Sequence, residues 1–381
     1  MEQLLVAKVN QGTHPIVQRQ AETRWTWVKA TVLMQARFLA MLMTMTVLGI
    51  ETSCDETSAS VIVDGRVRSN VVAAQVVHAL HGGVVPELAS RAHVQLIVPV
   101  VTEALACGGV SKGDLDGVAA VSGPGLVGSI LVGLSFGKSL AYGLGRPFIG
   151  VNHMEAHIFS NLLDDVKPDF PFLNLTVSGG HTQLVHVRAP FEYELLGETI
   201  DDAAGEAFDK VAKMMDLEYP GGPAVDSRAR KGDPTAVRFP RSTLDPEGYQ
   251  FSFSGLKTSV LYYLKRSSYV PGAGDPQFIA DTCASFQAAV VDVLTQKLFR
   301  AAEAYGVHDV CIAGGVSANS ALRAKAAELA QLRGRRLFVP RMEYCTDNGA
   351  MVAMAGYLRL QQGKTSSWEV SAEPNLSLSD R

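Results

Sequence analysis

The sequence predicts a duplicated α/β protein in which two similar halves face one another across a cleft. Three observations carry this expectation. An order of elements occurs twice after residue 45, turns rich in glycine and small polar residues fall at matching places in the two halves, and 47% of the 381 residues are hydrophobic. That apolar content is sufficient to bury two ordinary domain cores.

The elements follow in order. Residues 46–51, 59–64 and 67–75 are short β-rich runs separated by turn formers. Helical patterns at 86–106 and 128–143 enclose a buried-strand pattern at 117–122, and another lies at 147–151. The second half opens with a like meander at 172–178, 182–188 and 192–197, then a helix, a strand at 309–313 and a helix at 318–332. The expected division is a first domain over 46–171 and a second over 172–381, with the last helix packing back on the first domain.

Residues 1–45 read differently, with Lys8, Arg19, Arg24, Lys29 and Arg37 against Glu2 and Glu22. The most apolar run there, 31–43, is interrupted by Gln35 and Arg37 and is too short to span a bilayer. This stretch is expected to be an N-terminal extension outside the fold, either an over-long gene start before Met41, Met43 and Met45 or an organelle transit peptide. No membrane attachment is expected.

Net charge of -4 and a pI near 6.2 argue against a surface that grips nucleic acid everywhere, so any RNA contact must be local. The basic runs 228–231 and 333–336 could meet phosphates or could be solvated helix ends. The five cysteines form no CxxC pair, which fits neither a zinc ribbon nor a disulfide framework. A reducing, cytoplasmic location is the expectation.

The cleft floor would be made by the turns between first and second strands. The first reads ETSCDETS over 51–58 and the second SGGHT over 178–182. Backbone amides in such turns can hold phosphate oxygens, since glycine lets the chain approach closely. After strand 309–313 comes GGVSAN (314–319), a small-residue turn opening a helix and suited to a nucleoside or its phosphate.

This arrangement resembles the actin, hexokinase and Hsp70 superfamily, whose duplicated, ribonuclease H-like domains clamp a nucleotide. Closer motifs narrow the resemblance: GIETSCDETSASV (49–61), GGVVPELASRAH (82–93), GPGLVGSILVG (123–133), VSGGHTQL (177–184), IDDAAGEAFDKVAK (200–213), YPGGP (219–223), FSFSGLKT (251–258), GGVSAN (314–319) and CTDNGAM (345–351). Together they resemble the tRNA threonylcarbamoyladenosine transferase family, formerly called O-sialoglycoprotein endopeptidases, over nearly everything from Met45 to about residue 360.

The segment NHMEAH (152–157) places His153 and His157 four apart, on one face of a helix about one turn from each other. Two imidazoles bind a metal weakly, and a carboxylate is needed. Asp347, at the start of an apolar small-residue helix, is the candidate. Two histidines and one carboxylate leave open positions and suit Fe(II) or Zn(II). The alternative is a pair of ordinary helix-surface or capping histidines. Position 152 is Asn, where bacterial members of the family often have a third histidine; Asn is a poor transition-metal ligand, so its role would be hydrogen bonding.

A metallopeptidase of the HExxH kind needs glutamate directly after the first histidine, where Met154 stands. Glu155 is about 200° around the helix from His153 and should point away. A small-molecule kinase remains the other alternative. The segment 133–139 (GLSFGKS) imitates a phosphate loop, but it is one residue short and lies in a helical run, which reads as small-residue packing.

The resemblance implies a reaction: transfer of the threonylcarbamoyl group of threonylcarbamoyl-AMP to N6 of the adenosine 3′ of the anticodon in tRNAs reading codons that begin with adenine. It implies that Thr176, Val177, Ser178, Gly179 and Gly180 meet the phosphate and acyl region of the substrate. Asp209, Gly222, Asp226 and Asn319 would hold adenosine and ribose. His153, His157 and Asp347 would bind the metal, with Asp55 and Glu56 as acid/base candidates; Asp55 could equally just satisfy turn amides. Implied partners are tRNA, a TsaB-like paralogue and a TsaE-like ATPase.

Overall fold

The computed structural model describes residues 44–75, 78, 83–241, 248–272 and 274–378. The leader expectation therefore concerns residues almost wholly outside the described ones. The unit beginning at Thr46 contains two five-stranded mixed sheets.

The first sheet is built from β1 (Thr46–Glu51), β2 (Glu56–Val63), β3 (Arg66–Ala74), β4 (Gly117–Gly123) and β5 (Phe148–Asn152), in spatial order β3-β2-β1-β4-β5. The second uses β6 (Phe172–Val177), β7 (Thr182–Ala189), β8 (Glu192–Glu198), β9 (Asp309–Ala313) and β10 (Arg336–Phe338), ordered β10-β9-β6-β7-β8. Each sheet thus has an antiparallel three-stranded meander whose first strand pairs in parallel with the fourth. The duplicated α/β architecture expected from the sequence is present. One detail differs: β2 begins at Glu56, because Ser58 pairs with Glu51, so the first cleft turn is shorter than the span 51–58. The three-residue β10 gave no pattern long enough to read.

Helices cover the sheets. Between β3 and β5 lie α1 (Pro86–Gly108) and α2 (Val127–Leu144), and α3 (His153–Phe159) follows β5 directly. The second half inserts α4 (Ala204–Met214), α5 (Gly221–Ala229), α6 (Ser254–Arg266) and α7 (Pro276–Ala304) before β9, then α8 (Ser320–Leu332) and α9 (Gly349–Gln361). The buried run TVLGIE of β1 is apolar on both faces because both faces are covered. Leu48 and Ile50 enter the core formed with α1 and α2. The alternate residues Val47 and Gly49 face α9 instead, which packs against β1, β2 and β4.

That second contact is close. A Cβ on Gly49 would lie 2.3 Å from the Ala353 backbone nitrogen, and one on Gly349 would lie 2.6 Å from Ala59 carbonyl carbon. A Cβ on Gly356 would lie 2.5 Å from the Ala119 methyl. Glycine is required at 49 and 349 because backbone meets backbone there with no side chain between. The segment 133–139 lies in α2 as expected, with Gly133 pressed against Thr52 and Gly137 against Ala120 and Phe148.

Candidate metal and nucleotide site

The site begins with a helix cap. Asn152 ends β5, and its Oδ1 accepts from the amides of Met154 at 2.8 Å and Glu155 at 3.3 Å, satisfying donors left free at the start of α3. Its Nδ2 donates to the Ser377 carbonyl at 3.2 Å. With the helix started there, His153 and His157 fall one turn apart, both buried, with ring centroids 4.6 Å apart.

Asp347 arrives two residues ahead of α9. Its Oδ1 lies 3.1 Å from His157 Nε2 and 3.5 Å from His153 Nε2. The three ligand atoms all lie within 4.8 Å of one another, the only such His/Cys/Asp/Glu group found among the described residues. His157 Nε2, although near the carboxylate, is off the line a hydrogen bond needs, and the buried ring has no hydrogen-bond partner. A buried orphan nitrogen aimed at a carboxylate and a second imidazole fits a cation between them. Burial pulls the His153 imidazolium down, but Asp347 and Glu51 outweigh it and push His153 up to about 9. Burial works against the Asp347 carboxylate, and the two histidines overcome it, holding Asp347 well below the usual carboxylate range.

Glu51 was not singled out from the sequence. Its Oε2 lies 3.1 Å from His153 Nδ1, and its Oε1 accepts from the Ser53 amide at 2.5 Å. Ser53 Oγ also lies 3.1 Å from His153 Nδ1. The signal was the strand alternation, which puts Glu51 on the same face as Gly49, toward α9.

Glu155 does point away from the trio. Both its carboxylate oxygens lie 2.9 Å from Arg359 Nη2, and Tyr193 Oη donates to it as well. The glutamate of this helix is therefore occupied by a cation and a phenol rather than aimed at a metal-bound water.

Asp55 lies in the turn before β2, and Glu56 opens that strand. Burial, then Asp347 and Asp55, push Glu56 up to about 9. His93 of α1 braces the turn from behind: its Nε2 lies 3.0 Å from the Cys54 carbonyl and its Nδ1 2.7 Å from Thr57 Oγ1.

The second-half turn sits opposite. The Ser178 amide donates to the His181 carbonyl at 2.8 Å and the His181 amide to Ser178 Oγ at 3.1 Å. A Cβ on Gly179, Gly180 or Gly222 would meet nothing within 4 Å, so these three backbones face open space. Gly205, by contrast, packs the start of α4 against the Ser178 carbonyl, and Gly314 (φ +84°) meets the Val177 carbonyl. Thr176 is buried and accepts from Asn174 Nδ2 at 2.7 Å. Burial, then His153 and His157, pull His181 down to about 4, so this turn lies within electrostatic reach of the trio.

Asp209 accepts from the Gly221 amide at 2.7 Å; burial raises its carboxyl, and the Gly221 and Gly222 amides partly offset this. Asp226 pairs with Arg230 and accepts from Ser320 Oγ at 2.7 Å. Asn319 caps α8, accepting from the Leu322 amide at 3.0 Å and donating to Gln287 at 2.7 Å. Burial, then Asp209 and Asp55, push the Tyr219 phenol up to about 12.

Comparison with known proteins gives a consistent picture. The family model for TsaD, tRNA N6-adenosine threonylcarbamoyltransferase, matches residues 66–354. Proteins of that name from Cytophaga hutchinsonii and Salinibacter ruber are 52% and 54% identical over 340 and 336 residues, covering 88% of this chain and 97% and 100% of their own lengths. Among solved structures, T. kodakarensis HypF superposes with a TM-score of 0.57 at 17% identity. That match covers 84% of this chain but 48% of HypF, so the chain spans about half of that protein and the likeness is one of fold.

Proposed function

The chain belongs to the tRNA N6-adenosine threonylcarbamoyltransferase family and is a transferase acting in formation of threonylcarbamoyladenosine in tRNA; on that premise we propose that His153, His157 and Asp347 hold one divalent transition metal, Fe(II) or Zn(II), at its reacting centre. The observation that carries this is the convergence of the three ligand atoms around an orphaned imidazole nitrogen. When bound, the ion supplies Lewis-acid polarisation and a template for the donor.

The chain's own residues account for the rest of the chemistry. Transfer from threonylcarbamoyl-AMP forms a bond between adenosine N6 and the carbamoyl carbon and breaks the carbon–oxygen bond to AMP, while N6 gives up a proton. The open amides of Gly179 and Gly180, with Ser178, Val177 and Thr176, are suited to the phosphate and acyl oxygens of the donor. We assign adenosine and ribose to Asp209, Gly222, Asp226 and Asn319; Asp226 accepts from Ser320 at the start of α8, and Asn319 caps that helix. We assign acceptance of the N6 proton to the turn that carries Asp55 and Glu56, the two carboxylates beside the proposed metal site.

Companions follow from the surface. Val94 and Val98 of α1 and Val127 and Leu131 of the adjacent α2 are exposed apolar side chains, suited to docking a TsaB-like paralogue, with a TsaE-like ATPase in the same cytoplasmic assembly. Leu131→Asp should abolish co-elution with that paralogue.

The deciding experiment incubates the protein, companions, synthetic threonylcarbamoyl-AMP and unmodified tRNA, then analyses nucleosides by mass spectrometry. Absence of threonylcarbamoyladenosine would overturn the reaction. Unchanged metal content and transfer in His157→Ala would overturn the metal assignment.

A further inference from the structure

The reading above requires a chain of net charge -4 to hold a polyanion, so the cations that do this must be local and unneutralised. The two basic runs visible in the sequence meet that requirement poorly. Arg228 is bound by Glu218, Arg230 by Asp226, Arg333 by Glu303, and Arg336 by Asp169 and Asp309. Those guanidiniums are spent on intramolecular carboxylates, which leaves Lys231 as the one exposed cation of its run without a carboxylate partner among the described residues and Arg335 on the Val307 carbonyl.

The outer face of α6 is different. A shallow, largely open groove lies along it, every lining residue coming from this one helix: Ser254, Gly255, Thr258, Ser259, Tyr262, Lys265 and Arg266. Positions 255, 258, 262 and 265 follow one helical stripe, so the lining is a single face with hydroxyls at one end, an aromatic ring in the middle and two cations at the other. Tyr262 is 58% exposed. Lys265 and Arg266 are exposed, and neither forms an ion pair among the described residues. Lys257, on the same helix, is engaged by Asp202 at 2.7 Å.

The groove is also tied to the reacting centre. Asp201 caps its start, accepting from the Phe253 amide at 2.9 Å and the Ser254 amide at 3.3 Å. Three residues later Ala204 donates from its amide to Thr182 Oγ1 at 3.0 Å, and Gly205 packs on the Ser178 carbonyl. The stripe therefore starts one short loop away from the turn assigned to the donor phosphate. Its 13 residues carry it about 20 Å outward.

We infer that this α6 groove seats the sugar-phosphate backbone of the tRNA, with Lys265 and Arg266 on phosphates and Tyr262 against a sugar or an unstacked base. Hydroxyls, a ring and unpaired cations in one stripe are the contact types that position a nucleic-acid backbone without reading sequence. The inference rests on the tRNA reading above and extends it to a surface.

The test measures two things on the same proteins. Binding of unmodified tRNA is followed by fluorescence anisotropy over a range of salt for wild type, for Lys265→Gln/Arg266→Gln, for Tyr262→Ala, and for a control with equal charge change far from α6, Lys112→Gln/Lys364→Gln. Transfer is followed by nucleoside mass spectrometry. The double variant should bind roughly tenfold more weakly near physiological salt, with the slope of log affinity against log salt reduced by about 1.5 to 2. Tyr262→Ala should weaken binding roughly fivefold or more without changing that slope. The control should match wild type, and all four should melt alike.

A double variant with wild-type affinity and slope overturns the groove, even if wild type makes threonylcarbamoyladenosine. Equal losses in the control overturn it too, since the effect would then be net charge. Loss of companion binding with tRNA binding intact assigns the stripe to a protein and also overturns it. Wild type that modifies no adenosine overturns the reaction instead, and the anisotropy slopes still decide the groove.

Discussion

Glu51 Oε2 and His153 Nδ1 lie 3.1 Å apart with both side chains sealed from solvent. A carboxylate on Nδ1 selects the tautomer whose Nε2 carries a free lone pair, and it holds the ring in one orientation. His153 Nε2 is the atom that faces Asp347. Glu51→Gln should therefore lower metal affinity roughly 10- to 100-fold while the fold persists. Competition against a chelator of known affinity measures this, and retention of wild-type affinity would show that Glu51 only completes the strand.

The same cluster predicts how stability follows pH when metal is removed. Unfolded, His153 titrates near 6.5 and Glu56 near 4.5; folded, both are pushed up to about 9. A group raised on folding contributes stability below its unfolded pKa, and the contribution is lost as pH climbs through the folded value. Asp347, held low, contributes throughout that range. The melting temperature of chelated protein should thus fall from about pH 4.5, where Glu56 ionises in the unfolded chain, to about pH 9, more steeply above about 6.5 where His153 joins, and added Zn(II) should restore most of it at the alkaline end. A flat profile would contradict the charge arrangement.

Glu155 and Arg359 make a buried ion pair joining α3 to α9, with Tyr193 of the second half hydrogen-bonded to the same carboxylate. Arg359→Met takes the guanidinium away from a carboxylate that is 2% exposed and should cost about 3 kcal/mol in denaturant unfolding. Glu155→Gln should leave metal content unchanged, because that carboxylate is turned from the trio. Loss of the metal in Glu155→Gln would revive a peptidase-like reading.

Gly49→Ala tests whether packing sets the site. Its methyl would arrive 2.3 Å from the Ala353 nitrogen, so α9 must move. Overpacking of this kind costs about 2 to 3 kcal/mol. Because Asp347 is carried just ahead of α9, metal retention should fall along with stability. Reduced stability with full metal content would show that the segment before the helix is anchored separately.

Much of this was legible in the sequence, for identifiable reasons. The paired meanders showed because β1 and β6 are continuous buried runs set off by turn formers from the β-rich runs that follow, and HxxxH showed because helical spacing is local. The part played by Glu51 did not, since a glutamate closing a strand looks like an ordinary strand end until β1 is set against α3. Arg359 carries no signal of its own in the sequence; only the docking of α9 onto the first sheet makes it the counterion of Glu155. The basic runs at 228–231 and 333–336 drew attention by density. Density says nothing about neutralisation, which depends on carboxylates such as Asp309 and Glu303 brought in by the fold.

The hydrogen bond from the Gly349 amide to Ser58 Oγ joins residues 291 positions apart. During synthesis, then, the first sheet is made roughly 290 residues before the helix that seals one of its faces. Until that helix emerges the face stays uncovered, an apolar surface open to wrong partners. The carboxylate of the metal trio arrives with the same late segment. The proposed ion would therefore load only after this helix has docked on the first sheet.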